Sequence, residues 1–121
     1  MQPERIMEIA RDYMRQLGYC ENSVAKLKIE FRRKCRNFGI CRPKQKRIIF
    51  NTKKLNESDE FWYGLIAHEV AHIKVAKHNR RFREVLGKLN PEALRNLSRH
   101  IYCRTEDNVR AGIQSTFEVQ G

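Results

Sequence analysis

The sequence predicts an α+β fold: a small antiparallel or mixed sheet packed on one central helix, with further helices at both ends. Three observations carry that prediction. Two short runs, around residues 27–31 and 47–52, have the alternating or β-branched character of strands; several longer runs place apolar residues at helical spacing; and the most apolar of these helical runs contains His68-Glu69-Val70-Ala71-His72. A length of 121 residues suits one domain spanning 1–121, with a core over about 24–102 and a tail from 103 onward.

The first helix is expected over residues 3–17. Ile6, Met7, Ile9, Ala10, Tyr13, Met14 and Leu17 recur on one face, Pro3 suits a first turn and Gly18 a C-terminal stop. Leu27, Ile29 and Phe31 then alternate with charged residues, the pattern of a half-buried strand. Residues 32–47 are basic and broken by Gly39 and Pro43; a solvated loop or hairpin turn and a nucleic-acid contact both fit them. A second strand follows over 47–52, and Ser58 or Asp59 can cap the helix that begins near Glu60 and carries the two histidines. Asn79 can cap a further helix with Phe82, Val85, Leu86 and Leu89 on its apolar face, and Pro91 can open a last one through Ile101 and Tyr102. Beyond Cys103 the pattern fades, apart from a short strand-like run at 116–119.

With 25 Lys and Arg against 14 Asp and Glu the net charge is +11, which favours anionic partners such as DNA or other nucleic acid, acidic proteins or lipid head groups. Glu4, Arg5, Glu8, Arg11 and Asp12 interrupt the N-terminus, so it lacks the apolar core of a secretory signal. No apolar stretch approaches the roughly 18 residues that cross a bilayer, so a cytoplasmic, intracellular protein with no membrane partner is expected. Cys20, Cys35, Cys41 and Cys103 form no CxxC pair, which argues against a zinc ribbon and leaves disulfide pairing open.

On a helix, HExxH puts two imidazoles on one face a turn apart with a carboxylate beside them, the spacing of a zinc site with its general base. Hydrolytic zinc takes three protein ligands and keeps the fourth position for water. The next histidine is His78. On an uninterrupted helix it would lie about 240° around the axis from His72, so the helix must end between them, near Lys77-His78-Asn79. The expected roles are then His68, His72 and His78 on one Zn2+ per chain and Glu69 as the catalytic acid–base group. Hydrolysis of an amide in a protein or peptide substrate is the natural reaction, with the backbone of Ile48, Ile49, Phe50 and Asn51 offering edge hydrogen bonds to an extended substrate. Glu92 is a substitute third ligand, Tyr63 and Tyr102 are candidate oxyanion donors, and a Cys41 thiolate could occupy the open position.

HExxH followed, after five intervening residues, by His matches the ligand spacing of metzincins. However, their Gly is Val75 here, and no Met follows Met14. Phe38-Gly39-Ile40-Cys41-Arg42, then Ile48-Ile49-Phe50-Asn51, then the HExxH helix, His78 and Phe82 follow an order that, over about 36–89, resembles the SprT-like metalloproteases with their Spartan, Wss-type and YgjP-like groups. That resemblance implies a minimal zincin-like fold, a zinc peptidase and, in SprT-like proteins, action on proteins associated with DNA. Two other classes remain as alternatives: a basic nucleic-acid-binding module with a structural or vestigial zinc site, and a zinc-dependent phosphoanhydride hydrolase using Lys74, Lys77, Arg80 and Arg81 to hold phosphates.

Overall fold

The computed structural model of the chain describes residues 1–33 and 38–97. The elements run α1 (Pro3–Gln16), α2 (Glu21–Ala25), β1 (Lys28–Arg32), β2 (Gly39–Arg42), β3 (Arg47–Asn51), α3 (Asp59–Lys74), α4 (Arg80–Leu89) and α5 (Pro91–Leu97), with 3₁₀ turns at Pro43–Gln45 and Thr52–Lys54. The expectations for Cys35, Tyr102, Cys103 and the 116–119 run lie outside the described residues.

Helix α1 starts on Pro3, whose missing N–H costs nothing in a first turn, and stops at Gly18, where a φ of +91° needs a residue without Cβ. Its Ile6, Ile9, Ala10 and Met14 are buried against the core. Two elements escaped the sequence reading. Helix α2 has five residues and no side-chain cap, and β2 is four residues of a basic stretch, beginning on Gly39 and ending at Pro43. Neither is long enough for periodicity to show.

The sheet is mixed, in the order β1-β3-β2. Strand β1 runs parallel to β3 with Ile29 opposite Ile48 and Phe31 opposite Phe50, while β2 runs antiparallel with Gly39 opposite Phe50 and Cys41 opposite Ile48. The β2–β3 connection turns through Pro43–Gln45 and Lys46, the latter left-handed at φ 49°. Strand β3 is therefore the middle strand, and Ile48, Ile49, Phe50 and Asn51 are all buried. This corrects the expectation that its backbone is a free edge: both its sides are paired, and the outer side of β2 is the one without a strand neighbour among the described residues.

Helix α3 crosses the inner face of the sheet. Ser58 Oγ accepts the Phe61 N–H at 3.1 Å, and Asp59 and Glu60 favour the positive end of the helix. Phe50 packs edge-on to Trp62 with ring centroids 5.4 Å apart, and Trp62 Nε1–H donates to the Lys54 carbonyl at 2.8 Å. Helices α1, α4 and α5 cover the rest of α3, so that nearly every residue from Trp62 to Ala71 is buried. No helix among the described residues is long and apolar enough to cross a membrane.

Candidate metal centre

The chain leaves the helix where the third histidine requires it. Lys74 ends α3, Val75 is extended (φ −136°, ψ 110°), and Asn79 Oδ1 accepts the Phe82 N–H at 3.0 Å to start α4. No glycine or proline is needed, because extended backbone suits a β-branched valine and the asparagine supplies the next cap. The reversal swings His78 back over the helix.

His78 Nε2 lies 2.9 Å from His72 Nε2 and 3.2 Å from His68 Nε2, and one ring nitrogen from each of the three histidines falls within 4.8 Å of the others. Phe82 braces all three rings: it stacks on His72 with centroids 4.4 Å apart, and His78 and His68 stand edge-on to it at 4.9 and 5.1 Å. His72 Nδ1–H donates to the Val75 carbonyl at 3.1 Å, which fixes the tautomer and leaves Nε2 as the lone-pair nitrogen. The residue that ends the helix thus also orients one of the three histidines.

Burial sets the protonation of the group. It pushes His68 well below its ordinary value, aided by the charges of His72 and His78, and pushes His72 down to about 3. Neutral imidazoles are the metal-binding form. Three ring nitrogens crowded together compete for few protons, whereas one cation satisfies all three lone pairs, so the donor set fits a divalent metal. Glu69, next to His68 and only 4% exposed, has its carboxyl raised by burial to about 8.

These shifts predict how stability varies with pH in the metal-free protein. Glu69 ionises near 4.5 when unfolded and about 8 when folded, so its contribution is whole below 4.5 and is lost as pH rises through that window. The unfolded histidines take protons below 6.5 that folded His68 and His72 refuse, so their contribution is present above 6.5 and is lost as pH falls. Between 4.5 and 6.5 two histidines outweigh one carboxyl, which places the maximum near pH 6.5. Stability should fall on either side by about 1.4 kcal/mol per pH unit for each net proton. Thermal melts of chelator-treated protein across pH 5–8 check this; a flat Tm would contradict it.

Strand β2 completes the surroundings of Glu69. A Cβ at Gly39 would lie 3.1 Å from Glu69 Oε2 and 3.2 and 3.3 Å from its Cγ and Cδ, so the missing side chain is the space the carboxylate occupies. Sequence reasoning singled out Gly39 only within a motif; its function depends on a strand–helix contact no local pattern reveals. Gly39→Ala, at a backbone any residue can adopt, should displace the carboxylate by a few tenths of an ångström. On the expectation that Glu69 is the catalytic acid–base group, turnover should drop on the order of tenfold, short of the ~hundredfold that a 1 Å error can cost. Metal content should not change, and steady-state rates beside elemental analysis read both.

Several other expectations find their places. Cys41 faces the same side of β2 as Gly39, and burial, with Glu69's charge, pushes its thiol well above the ordinary value. It is therefore held as a thiol, outside the histidine group, and not as a thiolate ligand. Cys20 is an exposed free thiol. Glu92 is exposed on α5 and paired with Arg95, so it does not join the histidines, and Glu84 pairs with Arg80 at 3.6 Å. Tyr63 bonds Arg5 on α1, on the far side of α3 from His68 and His72. Tyr19, which sequence reasoning passed over, has its hydroxyl raised by burial and by the charge of Cys41, and Lys74 Nζ stands 5.4 Å from its ring centre.

A buried helix bearing HExxH, a third histidine returned by the following turn and a small mixed sheet behind them make up the architecture of a zincin-like metallopeptidase. The match of the YgjP-like, metallopeptidase domain model to residues 3–100 specifies it further: the chain belongs to the YgjP-like metallopeptidase family. Among solved structures the fold is similar to that of the metallopeptidase zymogen abylysin of Pyrococcus abyssi. The TM-score is 0.61 and the identity 23%, over 93% of this chain and 96% of that one. No curated protein matches the chain.

Proposed function

We propose that this protein is a zinc-dependent peptidase in which His68, His72 and His78 hold the metal and Glu69 is the catalytic acid–base group. The observation that carries this reading is the convergence of three Nε2 atoms, within 3.2 Å of one another along the chain His72–His78–His68, beside a buried carboxylate. Zinc suits an all-imidazole set, and when bound it supplies Lewis acidity that polarises the scissile carbonyl and acidifies a water. A cation held by the neighbouring histidines favours the ionised form of Glu69, offsetting the burial that otherwise keeps it protonated. A Glu69 carboxylate oxygen then takes a proton from the attacking water and passes it to the departing amine.

The outer side of β2 is where an extended substrate fits, since that strand has an unpaired backbone edge among the described residues and its Gly39 touches Glu69. Main-chain pairing there would bring a peptide bond past the catalytic carboxylate. Removing the metal with a chelator should abolish cleavage of an unfolded protein, and one equivalent of zinc should restore it. Full activity in the chelated protein would overturn the reading.

The charge of +11 supports a second tier to it, substrates carried on DNA, which salt-sensitive retention on DNA would test. The phosphoanhydride alternative is less well supported, because Lys74 is engaged with Tyr19 and Arg80 with Glu84.

A further inference from the structure

The face of the sheet turned away from α3 carries a row of cations in register. Lys28 on β1 stands opposite Arg47 on β3, and Arg47 stands opposite Arg42 on β2. Successive side chains alternate faces, and Gly39 and Cys41 face Glu69, so Arg42 and Ile40 point the other way. Like charges placed directly across a sheet cost stability, so a row of three calls for an anionic neighbour. Glu30 answers part of the demand, holding Arg47 at 3.0 Å and Arg32 at 2.8 Å. It lies in the next row, however, across from Ile49 and Ile40, and so two strands away from the exposed Arg42. The cationic row therefore opens at the outer side of β2.

A substrate strand added there continues each row by one position. One of its side chains would sit beside Arg42; another, two residues along on the same face, would sit beside the half-buried Ile40. Resting on the peptidase reading, we propose that the protein selects extended substrates with Asp or Glu beside Arg42 and an apolar side chain beside Ile40. The acidic position then falls three residues along from the one that faces Gly39 and Glu69. A nucleic acid lying across the same row is the rival, but the row ends at Arg42 on the same strand edge whose Gly39, three residues away and facing the other side, touches Glu69, which favours a peptide laid along that edge.

The test is cleavage-site mapping by mass spectrometry on a library of proteome-derived peptides, using zinc-loaded wild type, Arg42→Glu and Arg42→Ala. Wild type should enrich Asp and Glu roughly two- to fivefold at one position within about four residues of the cleaved bond, the range a cross-strand charge pair provides. Arg42→Glu should invert the preference to Lys and Arg, and Arg42→Ala should flatten it. Cleavage with no acidic enrichment, or an unchanged profile in both variants, would overturn the specificity and leave the peptidase reading intact. No cleavage of any library peptide by the zinc-loaded wild type would remove both. A flat profile with single-stranded oligonucleotide binding that Arg42→Glu weakens would assign the row to nucleic acid and overturn the inference.

Discussion

Glu69→Gln is expected to lower peptide hydrolysis by about 10² to 10⁴-fold, the range a positioned acid–base group contributes, while the metal stays bound. Glutamine fills the space between α3 and Gly39 that the carboxylate fills, so the packing is preserved and only the capacity to take a proton is lost. The three histidines are untouched, so one metal per chain should remain by elemental mass spectrometry. A second readout separates this from a folding defect. In the metal-free variant the loss of stability above pH 6.5, which comes from the raised carboxyl, should disappear, whereas the acid-side loss from His68 and His72 should persist. Cleavage at the wild-type rate by a clean preparation would take the catalytic role away from Glu69.

His78→Ala should cost more than activity. With two protein ligands left, metal affinity should fall by more than the roughly 10- to 100-fold that loss of an outer hydrogen-bond partner costs, and hydrolysis should drop to background. Because a metal that binds only the folded state stabilises it by mass action, excess zinc should raise the Tm of wild type and leave the variant nearly unmoved. His78 is exposed at the turn before α4, and Phe82 beneath it is fully buried in the hydrophobic core, so the variant should still fold. A full equivalent of metal in His78→Ala would exclude His78 from the ligand set.

How much of this was legible in the sequence differs by element. The long helices were readable, since α1 and α4 each bury one continuous face, α3 is the most apolar run, and the three begin at Pro3, Ser58 and Asn79, whose chemistry is local. The break between His72 and His78 was also readable, by exclusion: six residues on a straight helix cannot return a side chain to the same ion. Strand β2 was not readable, because Gly39, Cys41 and the basic residues around them make sense only once the strand lies against Glu69.

The sequence by itself determined the residue types, their spacing along α3, the caps and the helix break, and through them the α+β class and the three-histidine set. Those features depend on contacts within a few residues, where side-chain chemistry and helical geometry act directly. Only the tertiary structure decided that β3 is the middle strand and β2 the open edge, that Glu92 and Tyr63 point elsewhere, and that Gly39 makes room for the carboxylate. Strand order and the burial that shifts Glu69 and His72 arise from segments tens of residues apart packing together, and no local pattern encodes which of two short strands ends at the edge.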